Sequence, residues 1–191
     1  GAMLARVFKQ RDNVIAAWQT LLTSVAYSAE RPVVPPRFAL PHRIEDIGIS
    51  PYETSLNRED ASLPYYAALR KVSWLGSVMA MNEDGDRIAK VPLVVKHGDH
   101  IYPSISLMAV CIALRVDLAD ITITQRRIFI PSEQGTIAIP TDERGQIRVN
   151  YLGDSSVFLK NTYSMFGVYE SILSGHQLVP LKTFKDGIVF I

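Results

Sequence analysis

A stretch of alternating apolar and polar residues, from residue 126 to residue 153, most strongly limits how this chain can fold. Apolar side chains occupy every second position on both sides of Asp142-Glu143-Arg144-Gly145, which is the period of a half-buried β-strand. Gly145 can adopt a φ above zero at little steric cost, as the end of a hairpin turn of this length requires. The pattern predicts a β-hairpin whose apolar face covers a core. Its apolar positions are Ile137, Ile139, Ile147, Val149 and Tyr151, and its polar positions are Thr136, Gln146, Arg148 and Asn150.

Length and composition are typical of one globular domain. The chain has 191 residues, of which 48% are apolar and 20% are charged, which is enough for a substantial core. The formal net charge is +1, whereas nucleic-acid binding depends on a clear cationic excess. We therefore expect no nucleic-acid partner. No run of about 18 apolar residues is present, so we expect membrane attachment only through segments that this chain lacks.

The single cysteine and the two ends suggest what kind of fragment this is. Cys111 lies in an apolar run, so we expect it in the core, and one cysteine can form neither an intramolecular disulfide nor a cysteine metal cluster. Gly1-Ala2-Met3 is typical of the remnant of a cleaved tag, and the chain stops within the apolar segment at residues 188–191. We expect residues 1–191 to form a single domain that is truncated at both ends.

Periodicity along the chain predicts a mixture of helices and strands. The predicted helices are residues 4–10, a short segment opened by Ser62 as N-cap and Pro64, residues 105–116 after Ser104 as N-cap, and residues 163–173 before Gly175. The predicted strands are residues 14–18, 72–81, 88–95 with a break at Pro92, 121–124, 127–130, 136–139, 146–151 and 188–191. Residues 28–60 are predicted to be mostly connection, anchored by Ile44, Ile47 and Ile49.

These elements predict an α+β fold, or an α/β fold with an antiparallel extension. We expect a mixed sheet that holds residues 14–18 and 188–191 and is flanked by the helices at residues 105–116 and 163–173. The short strands between residues 121 and 151 form an antiparallel β-meander attached to it.

Two turns carry side chains that could bind a metal ion. Glu83-Asp84-Gly85-Asp86 lacks the twelve-residue spacing and the closing glutamate of a calcium loop, so a solvated hairpin turn is favoured. His97 and His100 flank a second tight turn, and two histidines without a third ligand do not predict a metal site. We predict no metal and no cofactor.

No motif in the sequence indicates catalysis. Ser104 and Ser106 lack a Gly-x-Ser-x-Gly context, so helix capping is the favoured role, and neither a glycine-rich phosphate loop nor an HExxH motif is present. For Asn150, a hydrogen bond to a neighbouring loop is favoured over a ligand contact. Trp18 and Trp74 are predicted core residues. We therefore predict no catalytic residue and no enzyme activity, and we assign no ligand-binding residue.

Four segments, in their order and spacing, resemble the CHASE2 family of extracytoplasmic sensor domains of bacterial signalling proteins. They are residues 82–87 with Val91-Pro92-Leu93, residues 102–107, residues 139–142 with Gly145 and residues 149–153, and residues 184–191. The resemblance covers about residues 74–191, and residues 4–18 resemble the helix and strand that come earlier in such domains. Asp186 stands where the family often has glycine.

The resemblance implies a sensory domain outside the cytoplasmic membrane, in a membrane-anchored receptor for signal transduction. Its signal would be a small molecule or a protein, and its cytoplasmic output a nucleotide cyclase, such as an adenylate cyclase, or a protein kinase of a two-component system. Flanking segments of the family are absent here, so a homodimer, a strand swap or a covering loop would protect the strand edges. Two alternatives stay open. One is a protein-interaction or dimerisation module without a small-molecule ligand, and the other is an enzyme with an unrecognised site.

Overall fold

The computed structural model describes residues 14–20, 34–53, 61–62, 72–79, 88–151, 153–154, 156, 159, 162–175, 178–185 and 187. The chain divides into two compact units, Gly1–Val149 and Asn150–Ile191. Among the described residues, no helix has both the length and the apolar character that a membrane span needs. The segments predicted at residues 4–10, 82–86 and 188–191 lie outside the described residues.

The first unit contains most of the regular secondary structure. Its strands are β1 (Ile15–Thr20), β2 (Tyr52–Glu53), β3 (Ala61–Ser62), β4 (Trp74–Ser77), β5 (Lys90–Pro92), β6 (Val94–His97), β7 (His100–Pro103), β8 (Thr122–Thr124), β9 (Arg127–Ser132), β10 (Gly135–Pro140) and β11 (Gln146–Arg148). Helix α1 covers Ile105–Leu114, and helix α2 in the second unit covers Met165–Leu173. Short 3-10 turns cover Pro36–Phe38, Ile44–Asp46, Leu118–Asp120 and Leu181–Phe184. The predicted α+β fold is confirmed.

Strand β1 lies at the centre of a mixed sheet in the order β3-β1-β4. It runs parallel to β4 and antiparallel to β3. The strand predicted at residues 14–18 is confirmed, and Ala16 and Trp18 are buried. Ser62, predicted as a helix N-cap, lies in β3, and the helix predicted after it lies outside the described residues.

A hairpin of β6 and β7 contributes side chains to two hydrophobic cores. The tight turn predicted at residues 97–100 is confirmed, with a φ of +61° at its glycine. Successive side chains of a strand point to opposite faces. Accordingly, Val94 and Ile101 enter one core, whereas Val95 and Tyr102 enter the other. This hairpin is therefore buried on both faces.

The two cores combine side chains from distant parts of the chain. The larger contains Leu40, Ile47, Ile49, Leu93, Val94, Ile101, Leu107, Cys111, Ile121, Ile123, Ile128 and Ile130. The smaller contains Ala16, Trp18, Val34, Phe38, Val72, Leu75, Val95 and Tyr102. The core positions predicted for Cys111, Ile47, Ile49 and Trp18 are confirmed, whereas Trp74 is only half-buried.

Helix α1 begins where the sequence predicts. The Oγ of Ser104 accepts a hydrogen bond from the N–H of Leu107 at 3.1 Å, which confirms the predicted N-cap. The helix ends at Leu114 because the next residue, Arg115, adopts a left-handed φ of +57°. Gly76 of β4 allows the helix to approach closely, since a Cβ at this position would lie 2.5 Å from the Cα of Ile105.

The strands on either side of the turn at residues 142–145 pair differently from the prediction. β10 pairs antiparallel with β9, and β11 pairs antiparallel with β5, so the predicted hairpin of residues 136–139 with residues 146–151 is wrong. β8, β9 and β10 nevertheless form an antiparallel meander, as predicted.

The error has a physical cause. Alternation determines which face of a strand is apolar, but it does not determine the partner strand. The short loop Glu133-Gln134 keeps β9 and β10 adjacent, and β11 is left to pair with β5. As a result Gln146, predicted on the polar face, is only 2% exposed, and Ile137, predicted to face the core, is 40% exposed.

Pro92 ends β5, which pairs only with β11 and has an open edge in the described structure. An edge position suits this residue, because proline has no N–H to donate to a second neighbour. The strand predicted at residues 72–81 is confirmed over β4. A hairpin turn at residues 83–86 would bring residues 88–95 back beside β4. That pairing is wrong, since β4 pairs with β1 and β6 joins β2 and β7.

In the second unit, small residues of α2 form its buried face. The Oγ of Ser164 caps the helix, accepting from the N–H of Gly167 at 3.4 Å. The Oγ of Ser171 donates to the carbonyl of Gly167 at 2.7 Å and accepts from the N–H of Val179 at 2.9 Å. The predicted helix is therefore confirmed, although most of its apolar face is exposed. The exposed members are Met165, Phe166, Tyr169, Ile172 and Leu173.

We predict that Gly145→Val lowers the free energy of unfolding by at least about 2 kcal/mol. Gly145 has a φ of +72°, which confirms the positive φ predicted for it, and an added Cβ would lie 2.9 Å from the Cδ1 of Ile49 and 3.0 Å from the Cγ2 of Val94. Gly98→Val is the matched control, because Gly98 has a φ of +61° but no atom within 4 Å of an added Cβ. Urea unfolding of both variants measures the difference. Equal losses would contradict the packing argument.

Candidate functional site

A surface hollow opens beside the turn at residues 142–145, where β5 and β11 pair. Its volume is about 960 Å³. Its walls are formed by Lys90, Arg126, Ile139, Pro140, Thr141, Asp142, Glu143, Arg144, Gln146, Ile147 and Arg148, and we call it the basic hollow. All of these residues belong to the first unit.

The Asp142 side chain holds the turn in shape. Its Oδ1 accepts hydrogen bonds from the N–H groups of Arg144 and Gln146, each at 3.0 Å. Its Oδ2 accepts from the Nζ of Lys90 on β5, also at 3.0 Å. The N–H of Gly145 donates to the Asp142 carbonyl at 3.0 Å and closes the turn. One carboxylate therefore joins the turn to both strands beside it.

Backbone hydrogen bonds connect this turn to the core. The carbonyl of Gly145 accepts from the N–H of Leu93 at 2.9 Å, and the carbonyl of Leu93 accepts from the N–H of Ser104 at 2.7 Å. Ser104 is the N-cap of α1. On the other side, the N–H of Ser50 donates to the carbonyl of Glu143 at 2.9 Å. The hollow is thus built on the same backbone that positions the hairpin and the helix.

The surroundings of Asp142 keep its carboxylate charged. Burial by itself raises the pKa of an aspartate. The N–H of Gln146, the ammonium of Lys90 and the N–H of Arg144 outweigh this effect and lower the pKa of Asp142 below its ordinary value. At neutral pH the turn therefore contains a charged carboxylate whose acceptor positions are in use.

The hollow has an excess of positive charge. Four cationic side chains and two carboxylates form its walls. Lys90 is paired with Asp142, whereas Arg126 and Arg148 form no ion pair in the described part of the chain. Because their guanidinium groups are planar donors, they suit the oxygen atoms of an anion.

Two residues that line the hollow each have a buried polar atom without a hydrogen-bond partner among the described residues. These atoms are the Nε2 of Gln146 and the Oγ1 of Thr141. A buried polar group that is left unpaired destabilises the folded state, so such atoms are uncommon and call for an explanation. An amide nitrogen is a donor, and its missing partner is therefore an acceptor such as a ligand oxygen.

A second hollow, of about 630 Å³, lies beside the turn between β6 and β7. It is lined by Pro36, Ala39, Leu40, Pro41, His42, Arg43, Glu45, Asp99 and His100. The Nε2 of His42 lies 2.9 Å from the carbonyl oxygen of Ile121, so Nε2 donates this hydrogen bond. The Nδ1 of His42 is buried and has no partner within the described ranges. Within the described residues, no group of three metal-binding side chains occurs here or elsewhere.

A comparison with protein families identifies the chain. The model of the CHASE2 domain family matches residues 1–191, which is the whole chain. This chain belongs to the CHASE2 family. The match confirms the resemblance seen in the sequence. CHASE2 domains are extracellular sensor domains of signalling proteins. No curated protein and no solved structure matches the chain.

In this CHASE2 domain, the two histidines of the turn at residues 97–100 have different surroundings. The ring of His97 is buried, with its centroid 5.6 Å from that of Trp18 and 6.2 Å from that of Tyr102. His100 is exposed and lines the second hollow. The structure therefore does not present them together to a ligand.

Among the residues that the structure describes, none of the other polar residues considered from the sequence has the surroundings of a catalytic group. Ser104 caps α1 as predicted, whereas the capping role predicted for Ser106 is wrong, since this residue lies exposed in the first turn of α1. Asn150 is exposed. Burial raises the pKa of the Cys111 thiol to about 11 and that of the Tyr102 hydroxyl to about 12. Neither group ionises at neutral pH, and neither has the lowered pKa of an activated nucleophile.

Sequence reasoning missed the basic hollow altogether. Lys90, Arg126 and Gln146 come from separate segments and form no motif, and pairing of β5 with β11 brings them together. The cluster Asp142-Glu143-Arg144 was visible as a polar turn. Its hydrogen bonds to neighbouring strands depend on a pairing that the alternation of residues does not specify.

We predict that Asp142→Asn lowers the free energy of unfolding by about 1–3 kcal/mol at pH 7, because it weakens charge-assisted hydrogen bonds. A carboxylate whose folded-state pKa is lowered stabilises the fold above its unfolded pKa, and this contribution disappears as the pH falls through the folded pKa. The difference between variant and parent should therefore shrink below about pH 4. Urea unfolding at a series of pH values measures it.

Glu143→Gln is the matched control for this experiment, because it removes the same charge from the same turn. The carboxylate of Asp142 accepts hydrogen bonds from the backbone of the turn, whereas Glu143 contributes a backbone carbonyl. We expect the control to change stability little at any pH. If Asp142→Asn lowers the free energy of unfolding by the same amount down to low pH, the negative charge of Asp142 does not have the stabilising role assigned to it.

Proposed function

We propose that this CHASE2 domain is the sensory part of a membrane-anchored bacterial receptor. In this proposal it binds a small-molecule signal outside the cytoplasmic membrane. The receptor then passes the signal to a cytoplasmic output, either a nucleotide cyclase such as adenylate cyclase or a protein kinase of a two-component system. Membership of the family supports the sensory role. The basic hollow supports a small molecule as the signal.

One observation carries the proposal: Thr141 and Gln146, which line a hollow built on the central backbone network, have buried polar atoms without a partner among the described residues. Gly145 beside the hollow is hydrogen-bonded to Leu93, and Leu93 to Ser104 at the start of α1. A ligand that binds one arrangement of the turn more tightly than another would shift the balance between them. These hydrogen bonds offer a physical connection from the turn to the helix, along which that shift could be transmitted.

The test is thermal unfolding of the 191-residue chain against a library of small extracellular metabolites and metal ions. A ligand that binds only the folded state adds about 2.7 kcal/mol of stability at a concentration 100 times its Kd. For a domain of this size, that gain corresponds to several degrees in the midpoint of unfolding. We expect at least one class of compound to raise the midpoint in a saturable manner.

The full-length receptor provides the second measurement. The same compound should change the activity of its cytoplasmic output in membranes, and Gly145→Val should weaken that response. An absence of any shift across the library would contradict a small-molecule signal. A shift without any change in output would contradict the relay.

A second candidate function, a protein-interaction or dimerisation module, is favoured by α2. Phe166, Ile172 and Leu173 on this helix are 67%, 64% and 64% exposed. Apolar side chains grouped on an exposed surface are typical of protein–protein contacts.

Sedimentation velocity of the 191-residue chain distinguishes this candidate. A dimerisation module should show a concentration-dependent dimer, and Ile172→Asp should abolish it because a buried, unpaired carboxylate opposes association. Glu170→Asp on the same helix is the control, since it retains the charge. A monomer at all concentrations would contradict dimerisation.

A further inference from the structure

We propose that the basic hollow binds a small organic anion and recognises it through a carboxylate group. The inference rests on the proposed sensory function and adds the chemical class of the signal. Ligand oxygens would accept hydrogen bonds from the guanidinium groups of Arg126 and Arg148 and from the buried amide of Gln146.

The cationic side chains around the hollow favour an anion as the ligand. Of the cationic side chains around the hollow, Lys90 is held by Asp142 at 3.0 Å and belongs to the structure of the turn. Arg126 and Arg148 form no ion pair in the described part of the chain, and both are exposed. Exposed arginines alone are common on protein surfaces. Their position around one hollow with a positive excess makes them anion-binding candidates.

The buried amide of Gln146 favours an anion that bears oxygen atoms. Gln146 is only 2% exposed, and its Nε2 has no hydrogen-bond partner in the part of the chain that the structure describes. The backbone N–H of the same residue donates to Asp142, so the residue is fixed in position while its side-chain donor is unused. Gln146 lines the cationic hollow, and an unused donor on such a residue favours an oxygen-bearing anion over chloride, because several oxygens can meet several donors at once.

The chemistry of the turn favours a carboxylate over a phosphate. Phosphate sites commonly use the free backbone N–H groups of a helix N-terminus or of a nest of successive amides. In this turn the N–H groups of Arg144 and Gln146 already donate to Asp142. The remaining donors are planar side-chain groups, which match a planar carboxylate.

The experiment is calorimetric titration and thermal unfolding of the 191-residue chain with sodium succinate, sodium citrate, inorganic phosphate and sodium chloride at matched ionic strength and pH 7. We expect about 10 mM succinate or citrate to raise the midpoint of unfolding by about 2 °C or more, relative to sodium chloride. Phosphate should have the smaller effect. A phosphate effect equal to or larger than both carboxylates, or equal midpoints in all four salts, would overturn the proposal.

Two neighbouring arginines provide a matched pair of variants. Arg126 lines the hollow, whereas Arg127 is exposed on β9 and does not. Arg126→Gln should weaken carboxylate binding by about tenfold or more, and Arg127→Gln, with the same change in net charge, by less than about twofold. Equal losses in the two variants would show a general charge effect and would overturn the site.

Gln146→Leu separates binding from folding. Leucine is of similar size and removes the unpaired donor, so the unliganded midpoint should stay the same or rise while the carboxylate-induced shift disappears. A lower unliganded midpoint with the shift retained would mean that Gln146 has a structural role, and would overturn its role in binding.

The outcomes also separate this inference from the proposed function. If neutral or cationic compounds of the library stabilise the chain and the carboxylates do not, the anion class is wrong and the small-molecule sensor stands. If nothing stabilises it, both the anion and the small-molecule signal are wrong.

Discussion

The hairpin of β6 and β7 is the element on which the first unit depends. Val94 and Ile101 point into one core, and Val95 and Tyr102 point into the other, so the same few residues hold both cores in place. A strand with two buried faces cannot shift by one residue without exchanging the contents of the two cores. The hydroxyl of Tyr102 also donates to the carbonyl of Val34 at 2.9 Å, which satisfies a polar group in the interior.

The candidate site is attached to this hairpin by backbone hydrogen bonds. Leu93 precedes β6, accepts from the N-cap of α1 through its carbonyl, and donates to Gly145 through its N–H. Hydrogen bonds therefore hold the backbone that carries the side chains of the basic hollow, while the charged groups themselves remain accessible. Rigid support beneath exposed donors is what a binding site needs in order to recognise one ligand geometry.

Local structure was predictable wherever a residue acts on its own neighbours. Ser104 caps the next helical turn, Gly145 has a positive φ, and Gly98 ends a tight turn, because each effect depends on only a few consecutive residues. Strand pairing was not predictable in the same way. β10 and β11 both alternate, yet they do not pair with each other as expected: β10 pairs with β9, and β11 pairs with β5.

The candidate site was likewise predictable only where it depends on local sequence. The sequence by itself determined the α+β class, the cap of α1, the turns at residues 97–100 and 142–145, several core residues and, through its resemblance, the CHASE2 family. It did not indicate the basic hollow, because Lys90, Arg126 and Gln146 meet only once β11 has paired with β5. Periodicity placed Gln146 on a polar surface, and only the tertiary structure buried it. The physical reason is that period and propensity are properties of one segment, whereas burial and charge environment are properties of the segments that pack against it.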